Sequence, residues 1–243
     1  MSRLAQSARV PSRVAIRISP RLALRFSAAD ALLLAFILVS YPLALAMPEA
    51  WGLENGVIEN AQVAVLLCGA LAAFLAWWRH RGTPLGALGA STVPVWLILA
   101  ARELSWGAVI TQADAVRAGL PLEPMWYKPA VAPVICALLA WSVSTLWRHH
   151  LGRFLVGLAR NSHYAVVPLV LAVVASYLSA CAEGHAVCGI HANPHHAQDW
   201  EEGLELIAYM ALVFAQQRVF RSCQQQDAAR ASTVAAGRDA VGP

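Results

Sequence analysis

The chain carries six long apolar runs, at about residues 30–47, 57–78, 86–110, 130–147, 164–182 and 201–220. A helix needs roughly 18 to 20 apolar residues to cross the hydrocarbon of a bilayer. Inside that layer every backbone amide must find its partner within a helix or a closed barrel. The runs show no apolar/polar alternation with period two, so they predict spanning helices and give no β-barrel signal. Charged residues agree: Asp, Glu, Lys and Arg make up 13% of the chain, against about 25% in a soluble domain. The expected fold is all-α, a polytopic membrane helical bundle of about six transmembrane helices. It divides into a basic tail at 1–29, a membrane domain at 30–220, and a tail at 221–243 without regular structure. Its first partner is the lipid bilayer, with a lipid or small molecule as candidate ligand and no nucleic acid.

Arginine and lysine near span ends set orientation. Six arginines precede the first run: Arg3, Arg9, Arg13, Arg17, Arg21 and Arg25. Arg79 and Arg81 follow the second run, and Arg148, Arg153 and Arg160 follow the fourth. Arg218, Arg221, Arg230 and Arg238 lie at the C-terminal end. The opposite side has Arg117 and Lys128, while Arg102 lies inside the third run. Both termini are therefore expected in the cytoplasm, with Asn161 inside and Pro194 outside. Trp51, Trp106, Trp126 and Trp200 fall near outer helix ends, and Trp77, Trp78 and Trp147 near inner ends, as interfacial belts do. Trp96 and Trp141 read as deeper packing residues.

The segment 1–26 has no acid. It reads as a solvated tail touching anionic lipid. The small residues Ala44 to Ala46 also fit a signal-peptide cleavage site, and the arginine-rich, acid-poor composition also fits a transit peptide. Cys68 and Cys136 fall inside spans as small packing residues. Cys181 and Cys188 face outward. A structural disulfide, two free thiols, or metal or redox work are all open to them.

An ionisable group at the centre of a span costs at least ~2.5–3.5 kcal/mol. Such a residue needs a reason to be there. Asn55, Glu59 and Gln62 share one face at the outer end of the second run. Glu59 complements a helix N-terminus, but Gln62 lies a turn deeper. In "ARELSWG", Arg102 and Glu103 are adjacent, so on a helix they diverge by about 100°. Glu103 sits where a helix dipole disfavours an acid. It needs a partner from another helix, a proton or a metal. In "DWEEGLELIAYM", Asp199 and Glu202 fit a capping box, and Glu201 fits the first turn. Glu205 lies about 9 Å deeper along the axis, and Glu202, Glu205 and Tyr209 share a face. Glu59, Glu103 and Glu205 come out at similar depth.

The loop before the last run holds His185, His191, His195 and His196. Imidazole is the commonest transition-metal ligand, although a histidine-rich loop is often only solvated. The candidate metal ligands are Glu59, Glu103, Glu205, His195 and His196, for zinc, manganese or iron. The candidate catalytic residues are Glu103, Arg102 and Glu202, the last as general base.

The stretches "RELSWG", "ENGVIENAQ" and "EEGLEL" resemble marks of an uncharacterised bacterial inner-membrane protein family. Its members carry a glutamate in the second helix, an RExSWG-like segment and a late EExxE-like helix. The resemblance implies an inner-membrane location and a shared polar centre. There the segment often continues with Gln-Arg, where this chain has Ala108-Val109. A remoter likeness is to intramembrane metal-dependent lipid hydrolases, through His191 and His195 spaced four apart. Two readings follow. One is a metal-dependent lipid hydrolase at the outer leaflet, with Arg102 holding a lipid phosphate or carboxylate. The other is a non-enzymatic transporter, metal-handling or membrane assembly protein.

Overall fold

The computed structural model describes residues 26–48, 51–52, 56–112, 125–160, 165–184, 188, 193 and 195–239, without the side chains of 109–110, 157–160 and 226–239. The N-terminal arginines, Glu54, Asn55, Arg117, Asn161, His185, His191 and Pro194 lie outside the described residues. Every regular element among the described residues is helical. The helices are α1 (Ala28–Ala46), α2 (Val57–Arg79), α3 (Pro84–Glu103), α4 (Ala108–Thr111), α5 (Lys128–Arg148), α6 (Leu151–Arg160), α7 (Val166–Ala182) and α8 (Ala197–Asp239). By length and composition α1, α2, α3 and α5 can each cross a membrane, and α7 is a shorter apolar helix.

The third apolar run does not form one helix. After Glu103 the chain makes a 3-10 turn, Ser105–Gly107, in which Ser105, Trp106 and Gly107 have φ of 45°, 59° and 93°. Positive φ at two non-glycine residues in a row ends an α-helix. The turn is tied by the Tyr127 hydroxyl, which donates to the Trp106 carbonyl at 2.9 Å. At the other end of the chain, α8 continues to Asp239, where a tail without regular structure was expected.

The long helix α8 is the axis of the bundle. One face buries Ile207, Ala208 and Ala211 against Leu33 and Ile37 of α1 and Leu171, Ala172 and Ala175 of α7. The opposite face meets α2 and α3. There Trp96 lies flat on Gly69: a Cβ at Gly69 would come 2.8 Å from the indole ring. A Cβ at Gly89 would come 2.6 Å from the Ala73 carbonyl of α2. Glycine at both places lets α2 and α3 approach closely, as small residues do between spanning helices. The Trp96 Nε1–H donates to Gln216 Oε1 at 2.6 Å, and Gln216 Nε2 donates to the Gly69 carbonyl at 3.0 Å. By contrast, only Ser142 of α5 is buried, and Trp141, expected as a packing residue, is 60% exposed.

Two polar links hold α1 to α8. At one end Ser27 and Asp30 form a capping box. Arg218 of α8 donates to the Asp30 carboxylate at 2.6 Å and also contacts the Ser27 hydroxyl. At the other end the Trp200 indole donates to the Ser40 hydroxyl at 2.9 Å and meets Tyr41 edge-on at 5.1 Å. Trp200 is therefore buried in the bundle rather than part of an exposed belt. Trp126 and Trp147 are open, at 91% and 80% exposure. Cys181 and Cys188 are joined by a disulfide that closes the end of α7 onto the following loop.

Asp30 is fully buried, so removing its partner leaves an uncompensated charge. Arg218→Leu should cost about 3–5 kcal/mol of stability. The double variant Arg218→Leu/Asp30→Asn should recover part of that loss in thermal unfolding of the purified protein.

Candidate functional site

The polar residues expected at one end of the bundle meet where α2, α3 and α8 converge. The first contributor is α8, where Glu202, Glu205 and Tyr209 follow a three-then-four spacing and so point the same way. The second is the last turn of α3, which supplies Arg102 and Glu103. The third is Gln62, one turn into α2.

Glu103, Glu202 and Glu205 each offer a carboxylate oxygen within 4.8 Å of the others. Glu103 is buried at 7% exposure and accepts a 2.7 Å hydrogen bond from the Tyr209 hydroxyl. Arg102 reaches between helices. Its Nε lies 3.1 Å from Glu103 Oε1, and its Nη2 donates to both Glu205 oxygens at 3.0 and 3.1 Å. Glu202 accepts from Gln62 Nε2 at 2.7 Å, and the same amide donates to the Glu202 carbonyl at 2.9 Å. Gln62 is fully buried, and its Oε1 has no hydrogen-bond partner.

Several placements differ from the sequence expectations. Arg102 and Glu103 do face each other, although their Cβ atoms diverge. The helix ends at Glu103, and the long arginine stem curls past it on its way to Glu205. Glu59 is not a member of the carboxylate group; Glu202 occupies that place. Nor do His195 and His196 belong to it. The His195 side chain is exposed, while His196 Nδ1 lies 3.4 Å from Asp199 Oδ2. Asp199 is not the N-cap. The first helical bond runs from the Trp200 amide to the His196 carbonyl, so Asp199 stands in the first turn, buried beside Gly52. Glu202 likewise does not close a capping box, because its carboxylate is held by Gln62.

A seam continues below this cluster. Trp96, Gln216 and Gly69 form a second polar layer one heptad deeper. The signal was present: Gln62 and Gly69, Trp96 and Glu103, and Glu202, Tyr209 and Gln216 are all spaced by seven. The same holds for Asp30: its Ser-x-x-Asp pattern is a capping signal in the sequence, whereas its pairing with Arg218, 188 residues away, is not.

No family model, curated protein or solved structure matches the chain. The arrangement of the site therefore rests on its own geometry. Chemically, three carboxylates stand against one guanidinium. With all four groups ionised, the site carries two excess negative charges.

This imbalance gives a thermodynamic signature. Arg102→Gln should leave three carboxylates without their cation and destabilise the fold strongly. Adding Glu205→Gln should relieve part of the cost. A double-mutant cycle in thermal unfolding should give a coupling of about 0.5–3 kcal/mol between the two residues. Additive effects would mean that the ion pair does not act as a unit.

Proposed function

We propose that the chain is a multi-pass protein of the bacterial inner membrane, with six spans and both termini in the cytoplasm. Its working part is a hard-cation site formed by Glu103, Glu202 and Glu205 near the outer face. The observation that carries this reading is the convergence of three carboxylates within 4.8 Å around one guanidinium. With all four groups ionised, the two excess negative charges match one divalent cation. An all-oxygen donor set favours magnesium, manganese or calcium over zinc. Gln62 borders the same cluster through its amide nitrogen on Glu202, and its buried Oε1 has no hydrogen-bond partner.

A cation bound there supplies Lewis acidity toward a phosphoryl or carbonyl oxygen. The residues of the chain do the rest. Arg102 is 53% exposed and can meet an anionic headgroup from its open side. Glu202, held by Gln62, accepts a proton from an attacking water. This is a metal-dependent lipid hydrolase. A non-enzymatic metal-handling or assembly role is favoured instead by the engagement of Arg102 with Glu103 and Glu205, which already cross-links α3 to α8. Transport has less support. Between Tyr209 and the Trp96–Gln216–Gly69 layer the described seam is filled by the apolar packing of Leu66, Leu212 and Val213.

Thermal unfolding with added metal tests the site. Manganese, magnesium or calcium at a hundred times its Kd should stabilise the wild type by about 2.7 kcal/mol. Glu202→Gln and Glu103→Gln should abolish the shift, and Glu201→Gln, outside the carboxylate group, should retain it. No shift with any divalent cation would overturn the cation site. Screening the same proteins against phospholipids separates the hydrolase from the non-enzymatic reading. The proposed orientation expects reporter fusions at Asn161 and Pro194 to report cytoplasm and exterior respectively; one compartment for both would rule out six spans.

A further inference from the structure

The corner between α5 and α6 lies at the opposite end of the bundle from the carboxylates. The chain contains no Asp or Glu between Glu123 and Glu183. Within that stretch Arg148, His149, His150 and Arg153 crowd the corner, and all four side chains are exposed. Neither Arg148 nor Arg153 forms an ion pair among the described residues. Arg81 differs, because its guanidinium already lies 3.8 Å above the Trp78 ring.

The corner also has an apolar floor. A groove of about 400 Å³ is lined by Val143, Leu146, Trp147, His150, Gly152 and Arg153. Beneath it α6 is anchored by Leu151, which is fully buried, and by Phe154 and Leu155, which pack on the core. Arg153 and Val156 stay exposed. A short helix with one face on the bundle and a basic edge outward suits the plane of a membrane interface. Trp147 beside it is the kind of aromatic residue found at that depth.

We infer that this corner binds an anionic phospholipid, with its phosphate between Arg148, His150 and Arg153 and the upper part of an acyl chain along Val143 and Leu146. Charge complementarity selects the occupant. A basic segment that carries no acid of its own attracts anionic lipid, and each arginine near such a surface contributes about a fivefold preference. The apolar floor selects a lipid over a free anion. The site is separate from the carboxylate cluster and does not depend on it.

Gly152 provides a clean probe. It is helical, and a Cβ built there meets nothing within 4 Å. The backbone there accepts a side chain, and Gly152→Leu should take up part of the groove while keeping every charge. Binding is followed by native mass spectrometry of the full-length protein, titrated with phosphatidylglycerol, phosphatidylcholine or inorganic phosphate. Wild type should take up phosphatidylglycerol at least tenfold more tightly than phosphatidylcholine, and excess phosphate should not displace it. Arg148→Gln/Arg153→Gln should lower that affinity by about 30-fold. Gly152→Leu should lower it while keeping every charge. Glu202→Gln, at the other end, should leave it unchanged. Equal affinity for both lipids overturns the proposal, and so does unaltered binding in the arginine variant. Displacement by phosphate alone would identify a simple anion site. If Gly152→Leu failed to fold, the arginine variant would still decide.

Discussion

Glu202, Tyr209 and Gln216 stand seven residues apart along α8, and each is bonded to a different helix or pair of helices. Glu202 takes the amide of Gln62 from α2, Tyr209 donates to Glu103 of α3, and Gln216 links Trp96 of α3 to the Gly69 carbonyl of α2. In an apolar surround an unsatisfied polar group costs several kcal/mol. These three contacts therefore permit little rotation or sliding of α8. Seven residues advance about 10.5 Å along a helix, so the layers sit at regular depth. Once α8 is set against α2 and α3, its other face is committed to α1 and α7.

The small residues serve the same constraint. Gly69 leaves its carbonyl open to Gln216 and its α-carbon flat beneath Trp96. A larger residue would push α3 away and break the relay. Gly89 keeps α2 and α3 close at the other end of their contact. The cluster of Arg102, Glu103 and Glu205 then forms at the place where α3 stops. From that last turn the long arginine stem passes its neighbour and reaches Glu205 of α8.

Much of the site was readable by counting. Glu103 and Glu205 came out at one depth because both are measured in the same 1.5 Å steps from a helix end. Their need for partners followed from the failure of the dipole and capping explanations. Azimuth was less legible. Glu202 is level with Gln62, three residues past Glu59 on α2, and which carboxylate turns toward Glu103 depends on how α2 and α8 are rotated in the assembled bundle. The histidines illustrate the same limit. Their proximity in sequence suggested a shared metal site, yet His196 is taken up by Asp199 and His195 faces outward.

Hydropathy, helical class and the ionisable residues near one end of the bundle are local properties, and the sequence by itself determined them. Helical hydrogen bonds join residues four apart, so they can be inferred without knowing the neighbours. The turn at Ser105–Gly107, the α1 clamp by Arg218 and the choice of Glu202 over Glu59 were decided only in the tertiary structure. Each depends on a contact between residues distant in the chain: Tyr127 with Trp106, Arg218 with Asp30, Gln62 with Glu202. Such contacts are set by how closely helices approach and how they are rotated, and no periodicity within a single helix encodes that.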